Sequence, residues 1–203
     1  MARAVALIEA APPGATSQLR RMTVLAHQSE PFDRRFERDY KIPGFQAVAS
    51  SETGAVIFYG GKIYSDDTFF HELGHVNGNR FLRSDWASVE ARDDQHLQQL
   101  LATGSLTANQ VGPVEPDATR RERWALRLQP GGLTGYAQTA QLSGTPREDQ
   151  AEALRLRTSE RWFGTPLVTF RDTSTGAERA MSFDELYPNR AAELDRIGLA
   201  PAR

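Results

Sequence analysis

Along the middle of the chain the spacing of apolar residues changes from strand-like to helix-like. Gln46 to Ser50 and Ala55 to Tyr59 are short β-prone runs, and Glu52-Thr53-Gly54 between them reads as a turn, so the pair predicts a hairpin. Gly60-Gly61 closes the second run, and Lys62-Ile63-Tyr64 is expected to add a third strand. From Phe69 onward the period is that of a helix. Phe69, Phe70, Leu73 and Val76 make an apolar side, Asp66-Asp67-Thr68 offers acceptors at its N-terminus, and Asn77-Gly78-Asn79 ends it. A second helix is predicted from Trp86 to Ala102, with Leu97, Leu100 and Leu101 buried and Gly104 as its stop.

Residues 103–119 read as a connector. A third helix is expected over 118–128, with Trp124 and Leu126 in the core and Pro130-Gly131-Gly132 as the breaker. A fourth runs from Arg147 to Phe163, with Ala151, Leu154 and Trp162 on its apolar side. Val168 to Phe170 and Ala180 to Ser182 predict a late hairpin around Asp172 to Gly176, and a last, peripheral helix covers 191–197. Strands first and helices after them indicate an α+β fold, a small mixed sheet packed on a helix with further helices around it. Residues 1–45, with Pro12-Pro13-Gly14 and a charged stretch from Asp33 to Lys41, read as an N-terminal accessory or partly flexible segment, and 46–203 as the domain.

Composition narrows the chemistry. A chain of 203 residues that is 39% hydrophobic can bury a core without cross-links. The absence of cysteine excludes disulfides and thiolate zinc ligands, so any metal site must use histidine and carboxylate. Ala4 to Ile8 is too short for a signal-peptide core, and no run approaches the roughly 18 apolar residues of a membrane span. The net charge is −2, and the arginine patches at Arg20-Arg21, Arg34-Arg35, Arg120-Arg121 and Arg155-Arg157 read as solvated helix faces rather than a nucleic-acid surface.

The residues that carry chemistry are His71-Glu72-Leu73-Gly74-His75, the H-E-x-x-H pattern of zinc peptidases. Four residues apart on a helix, His71 and His75 share a face and can present imidazole nitrogens to one zinc ion. Glu72 beside them suits a general base that takes a proton from zinc-activated water and passes it to the leaving amine. Two of the chain's four histidines lie here; His27 and His96 read as surface residues. Zinc still needs a third protein ligand. The candidates are Glu90, with Asp94 four residues on to steady a ligand histidine, and Glu148 on the later helix, where Glu152 one turn on could bond the outer nitrogen of a ligand histidine.

The stretch from Ser51 to Val76, with Ala55-Val56-Ile57-Phe58-Tyr59 ahead of Asp66-Asp67-Thr68-Phe69-Phe70-His71-Glu72-Leu73-Gly74-His75, resembles the catalytic domain of anthrax lethal factor and its relatives. Two later segments resemble that family as well: Thr134-Gly135-Tyr136-Ala137, and Glu148-Asp149-Gln150-Ala151-Glu152-Ala153. The resemblance implies a zincin-like metallopeptidase fold. It also implies Zn2+ held by His71, His75 and Glu148, with Glu72 as base and Tyr136 as the hydroxyl that meets the transition state.

On this reading the chain is a monomeric zinc endopeptidase of peptide or protein substrates. The run from Ala55 to Tyr59 would be an edge strand that takes substrate by strand addition. By analogy with a toxin domain, a bacterial effector or toxin cargo is expected, found in the bacterial cytoplasm or delivered to a target cell without a signal peptide, with a host protein as substrate. Two other readings share the motif: a catalytically inactive, metal-stabilised binding module, and a zinc amidase. Glu72 favours an enzyme over the inactive module, because holding zinc does not require it.

Overall fold

The computed structural model describes residues 2–25, 47–59, 65–112, 124–141 and 146–200. The expected strand at 62–64, the charged stretch 33–41, His27 and the first part of the helix expected at 118–128 lie outside them. Among the described residues the chain is mixed α+β. Helices α1 (Ala2–Ala10) and α2 (Pro13–Thr16) lead into strands β1 (Arg21–Val24), β2 (Ala47–Ser50) and β3 (Ala55–Phe58). Then come α3 (Asp66–Val76), α4 (Gly78–Phe81), α5 (Trp86–Thr103), β4 (Gly104–Ala108), α6 (Gly135–Gln141) and α7 (Arg147–Phe163). The chain closes with β5 (Val168–Asp172), β6 (Glu178–Met181), α8 (Phe183–Leu186) and α9 (Pro188–Arg196).

The described strands form two sheets, not one. The first has the order β1-β3-β2, with β1 parallel and β2 antiparallel to β3. The hairpin expected from the sequence is therefore present, but β3 is its central strand. Ala55 to Phe58 is hydrogen-bonded on both sides, so it offers no edge for strand addition. The second sheet, β4-β5-β6, is antiparallel throughout. Its β5–β6 pair is the expected late hairpin, whereas β4 occupies residues that read as a connector. Only Leu106 of β4 packs against the core, and its partner β5 is distant in sequence, so local pattern carried little sign of it.

The boundary expected near residue 45 does not separate residues 2–25 from the domain. Leu7, Ala11 and Ala15 are fully buried in the same core as Val56, Phe69 and Leu154, and β1 completes the first sheet. Small side chains there bury little area each, so the pattern looked weak. Other differences follow from polar anchoring. Trp162, expected in the core, is 40% exposed because its indole nitrogen donates to Asp66 at 2.9 Å across the start of α3. Leu101 is 39% exposed.

Arg155 and Arg157 are buried, not solvated: Arg155 pairs with Glu152, and Arg157 pairs with Asp184 and Asp195. The last helix is not peripheral, since Arg190, Ala191 and Leu194 of α9 are buried. Residues 125–128 are not helical, and Leu126 instead forms an isolated antiparallel bridge with Thr134. None of the described helices is long and apolar enough to cross a membrane.

The packing of α3 against α7 positions the site. Ser65 caps α3 by accepting the Thr68 amide at 3.0 Å, and Asp66 and Asp67 sit in the first turn, where the helix dipole favours them. Phe69, Phe70, Leu73 and Val76 are buried as their spacing predicted. At the other end the Asn77 side chain donates to Leu73 O at 2.9 Å and to Ala15 O at 3.0 Å, tying α2 to the end of α3.

Gly74 allows the helices to approach. A Cβ there would lie 2.5 Å from Ala151 Cα and 2.9 Å from Ala151 Cβ, and backbone atoms cannot swing aside. Although alanine is the better helix former, Gly74→Ala is expected to destabilise the protein by about 2–3 kcal/mol through overpacking. Urea unfolding of the variant and parent measures it, and a variant as stable as the parent would contradict this close contact.

The second hairpin turns on Asp172, whose Oδ1 accepts the amides of Ser174 at 2.8 Å and Thr175 at 2.9 Å and the Ser174 hydroxyl at 2.6 Å. These bonds favour the carboxylate and lower its pKa from 3.8 to about 2. A depressed carboxylate stabilises the fold above its unfolded pKa and loses that contribution as pH falls through the folded one. Asp172 should therefore support the hairpin above pH 3.8 and cease to do so between pH 3.8 and about 2. NMR titration of its carboxyl carbon checks this; a midpoint near 3.8 would show that the turn bonds do not favour the anion.

Candidate metal centre

Helices α3 and α7 run antiparallel with matched polar positions. On α3 these are Asp67, His71 and His75; on α7 they are Glu148, Glu152, Arg155 and Ser159. Both sets repeat at three or four residues, so each lies along one face. His75 meets Glu148, His71 meets both Glu148 and Glu152, and Asp67 meets Arg155 and Ser159. This polar seam runs beside the Gly74–Ala151 contact.

At one end of the seam three donor atoms converge. His71 Nε2 and His75 Nε2 are 3.1 Å apart, and Glu148 Oε2 is 3.3 Å from the first and 3.2 Å from the second. Tetrahedral zinc with bonds of about 2.0–2.1 Å has neighbouring ligand atoms about 3.3 Å apart, so the triangle has the size of one face of such a site. The chemistry fits as well. Glu148 Oε2 is sealed from solvent and accepts no hydrogen bond of acceptable geometry, although two imidazole nitrogens lie within 3.3 Å. An anionic oxygen and two imidazole nitrogens converging in this way form a donor set suited to one divalent cation. Among the described residues, His71, His75 and Glu148 are the group whose ligand atoms come close enough to hold a metal.

The surrounding groups hold these donors in place. Glu152 Oε1 lies 2.7 Å from His71 Nδ1, so an Nδ1–H donated to this carboxylate leaves the Nε2 lone pair facing the site. Glu152 is itself gripped by Arg155, whose Nε and Nη2 donate to its two oxygens at 2.8 and 2.9 Å. Arg155 also donates to Trp124 O at 3.3 Å and approaches Asp67, which accepts a short bond from the Ser159 hydroxyl.

Burial and charge act against each other here. Burial alone would lower the pKa of His71, but Glu148 and Glu152 push it up to about 10, so without an ion the ring carries both protons, and a metal would have to displace the one on Nε2 to use its lone pair. Burial would raise Glu148, yet His75 and His71 hold its carboxyl well below the usual range. Burial likewise opposes ionisation of Glu152, while Arg155 and His71 hold it down to about 2. Both carboxylates are thus anionic at neutral pH.

Glu72 differs from them. Its side chain is buried, and desolvation raises its pKa; His71 and His75 pull the other way, and Glu148 adds to the rise. The shift runs in the direction that makes a carboxylate a stronger base. Tyr136, on the first turn of α6, sets its ring 5.6 Å from that of His71 and stacks on Trp124 at 4.7 Å. Trp124 in turn packs edge-on against His71 at 5.2 Å.

Every residue singled out for the site, His71, Glu72, His75, Tyr136 and Glu148, therefore lies in one neighbourhood. Glu90 does not join it. Its carboxylate faces Arg190 at 3.9 Å, and Asp94 accepts the Gly131 amide at 3.0 Å. His96 bonds the Glu185 carbonyl at 3.0 Å, away from the metal donors. Sequence reading missed Arg155, Asp67, Ser159 and the contact role of Trp124. The helical repeat of polar residues on both α3 and α7 was the available signal for the first three. Nothing local pointed Trp124 toward His71.

Compared with known proteins, the chain matches no family model, no curated protein and no solved structure.

Proposed function

We propose that this protein is a zinc-dependent hydrolase of peptide bonds. The observation that carries the reading is the triangle of His71 Nε2, His75 Nε2 and Glu148 Oε2, with edges of 3.1 to 3.3 Å around a buried carboxylate oxygen that has no hydrogen bond. Zinc held there would supply Lewis acidity, polarising a carbonyl oxygen and making water a stronger acid.

The chain's own residues supply the rest. Glu72 takes a proton from the attacking water as its oxygen bonds to the scissile carbonyl carbon, then delivers that proton to the amine nitrogen as the carbon–nitrogen bond breaks. Tyr136, beside His71, offers its phenol to the oxygen that gains negative charge. Glu152 keeps His71 in the tautomer that presents Nε2. The resemblance to lethal factor extends the proposal to a zincin-like endopeptidase used as a bacterial toxin or effector against a target-cell protein.

Purified protein is expected to contain one zinc per chain, and His71→Ala and His75→Ala should each lose it. Elemental analysis of the three proteins tests this directly. Stoichiometric zinc in both variants would place any metal elsewhere. Cleavage of an unbiased peptide mixture by the zinc-loaded parent separates a peptidase from an amidase of other substrates and from an inactive metal-stabilised module, neither of which would cut it.

A further inference from the structure

Next to the metal donors, on another face of the first turn of α7, lies a second buried charge cluster that the proposed chemistry leaves unused. Asp149 follows Glu148 directly and is fully buried, and both of its oxygens are occupied. Oδ2 accepts the Trp86 indole N–H at 2.8 Å from α5 and meets Arg190 Nε and Nη2, each at 3.0 Å, from α9. Oδ1 accepts the Leu133 amide at 2.9 Å. Arg190 is 1% exposed and is held from behind by Asp93, whose Oδ2 accepts the Arg190 amide at 2.9 Å and lies 3.4 Å from Nη1. Asp93 Oδ1 fixes the start of α9 by accepting the Asn189 amide at 2.9 Å and side chain at 2.8 Å.

We infer that Asp149, clamped by Arg190 and Trp86, is a positioning residue that aims both Glu148 and Tyr136 at the histidine pair. The inference rests on the metal reading above. Three links carry it. Glu148 and Asp149 are neighbours in one helical turn, so their side chains diverge by about 100° and a lock on one fixes the rotation of the other. Pro146, the N-cap, makes no side-chain cap bond, so that turn lacks the usual anchor at its own start. Leu133, held by Asp149 Oδ1, precedes Thr134, whose hydroxyl accepts the Ala137 amide at 3.2 Å and whose carbonyl accepts the Gln138 amide at 3.0 Å. Thr134 thereby sets the start of the helix that carries Tyr136. One carboxylate thus sets the register of two segments that are separate in sequence but meet at the metal donors. Groups that hydrogen-bond a metal ligand are worth about 10–100-fold in metal affinity, and Asp149, which acts on Glu148 through the backbone they share, is expected at the lower end of that range.

The test measures zinc affinity by chelator competition at fixed pH, with folding followed by circular dichroism on the same samples. Asp149→Asn keeps the volume but removes the charge and sets an amide N–H against other donors. Arg190→Lys keeps a cation but cannot offer paired N–H groups. Leu194→Ala is the control: Leu194 is fully buried on α9 and has no polar atom to share with Asp149.

Asp149→Asn is expected to bind zinc about tenfold more weakly while remaining folded, and Arg190→Lys about threefold more weakly. Leu194→Ala should lower the melting temperature and leave affinity within about twofold, a separation that a merely structural role for Asp149 would not produce. Folded Asp149→Asn with parental affinity overturns the inference, as does a control that weakens zinc equally. Should Asp149→Asn fail to fold, Arg190→Lys decides by the same criterion. A parent without zinc affinity removes the metal reading and this inference with it; a parent that binds zinc beside an equally tight Asp149→Asn removes the inference alone.

Discussion

Glu148→Ala is expected to weaken zinc binding by about a hundredfold or more, because it removes the inner anion and leaves two neutral imidazoles and water around the ion. Glu90→Ala should leave affinity within about twofold, since among the described residues it is Glu148 that shares the short-range triangle with His71 and His75. The two carboxylates were equal candidates by residue type, and they differ in what they face. Glu148 Oε2 is buried between two imidazoles, whereas the Glu90 carboxylate lies near the Arg190 guanidinium. Competition with a chelator at fixed pH ranks the variants. The reverse order would transfer the third ligand to α5 and end the analogy with lethal factor. Small, equal losses would point to an unassigned closing ligand, such as Glu152 or Asp85.

Glu72→Gln should retain one zinc per chain and the parental fold while losing hydrolysis by a factor of about 100 or more, as expected when a general base is removed. The amide is nearly isosteric with the carboxyl, so packing beside His71 changes little, but it cannot accept and return a proton. Burial raises the Glu72 pKa while Glu148 and Glu152 are held low, a contrast in the direction expected if Glu72 is the base and the other two are ligand and support. Turnover of a peptide by zinc-loaded parent and variant measures the effect. A variant as active as the parent would remove Glu72 from the mechanism. Loss of metal together with activity would instead make it a structural part of the site.

Much of the local architecture was legible in the chain. The α3 apolar side, the bounds of α7 at Arg147 and Phe163 and both hairpins follow from period, breakers and turn residues, because helices and hairpins satisfy their hydrogen bonds among near neighbours. The pairing of His71 with His75 was legible for the same reason, since a spacing of four is a distance on a helix. Less was visible where the partner is remote. Strand β4 depends on β5, and β1 lies between segments that carry no hairpin signal. Arg155 and Arg157 read as surface charges until Glu152, Asp184 and Asp195 were placed around them.

What the sequence by itself determined is the helix that presents two imidazoles with a carboxylate between them, and a later helix with acidic residues on its first turn. Which carboxylate lies beside the two imidazoles is a matter of tertiary structure, and there it is Glu148, the residue that the family resemblance had implied. Glu90 and Glu148 are both acidic side chains near the start of a helix, and the choice between them depends on which helix packs beside α3. A glycine and an alanine let α3 and α7 approach closely, and that packing brings Glu148 beside the two histidines. This is a long-range packing effect, outside the reach of local propensity and spacing.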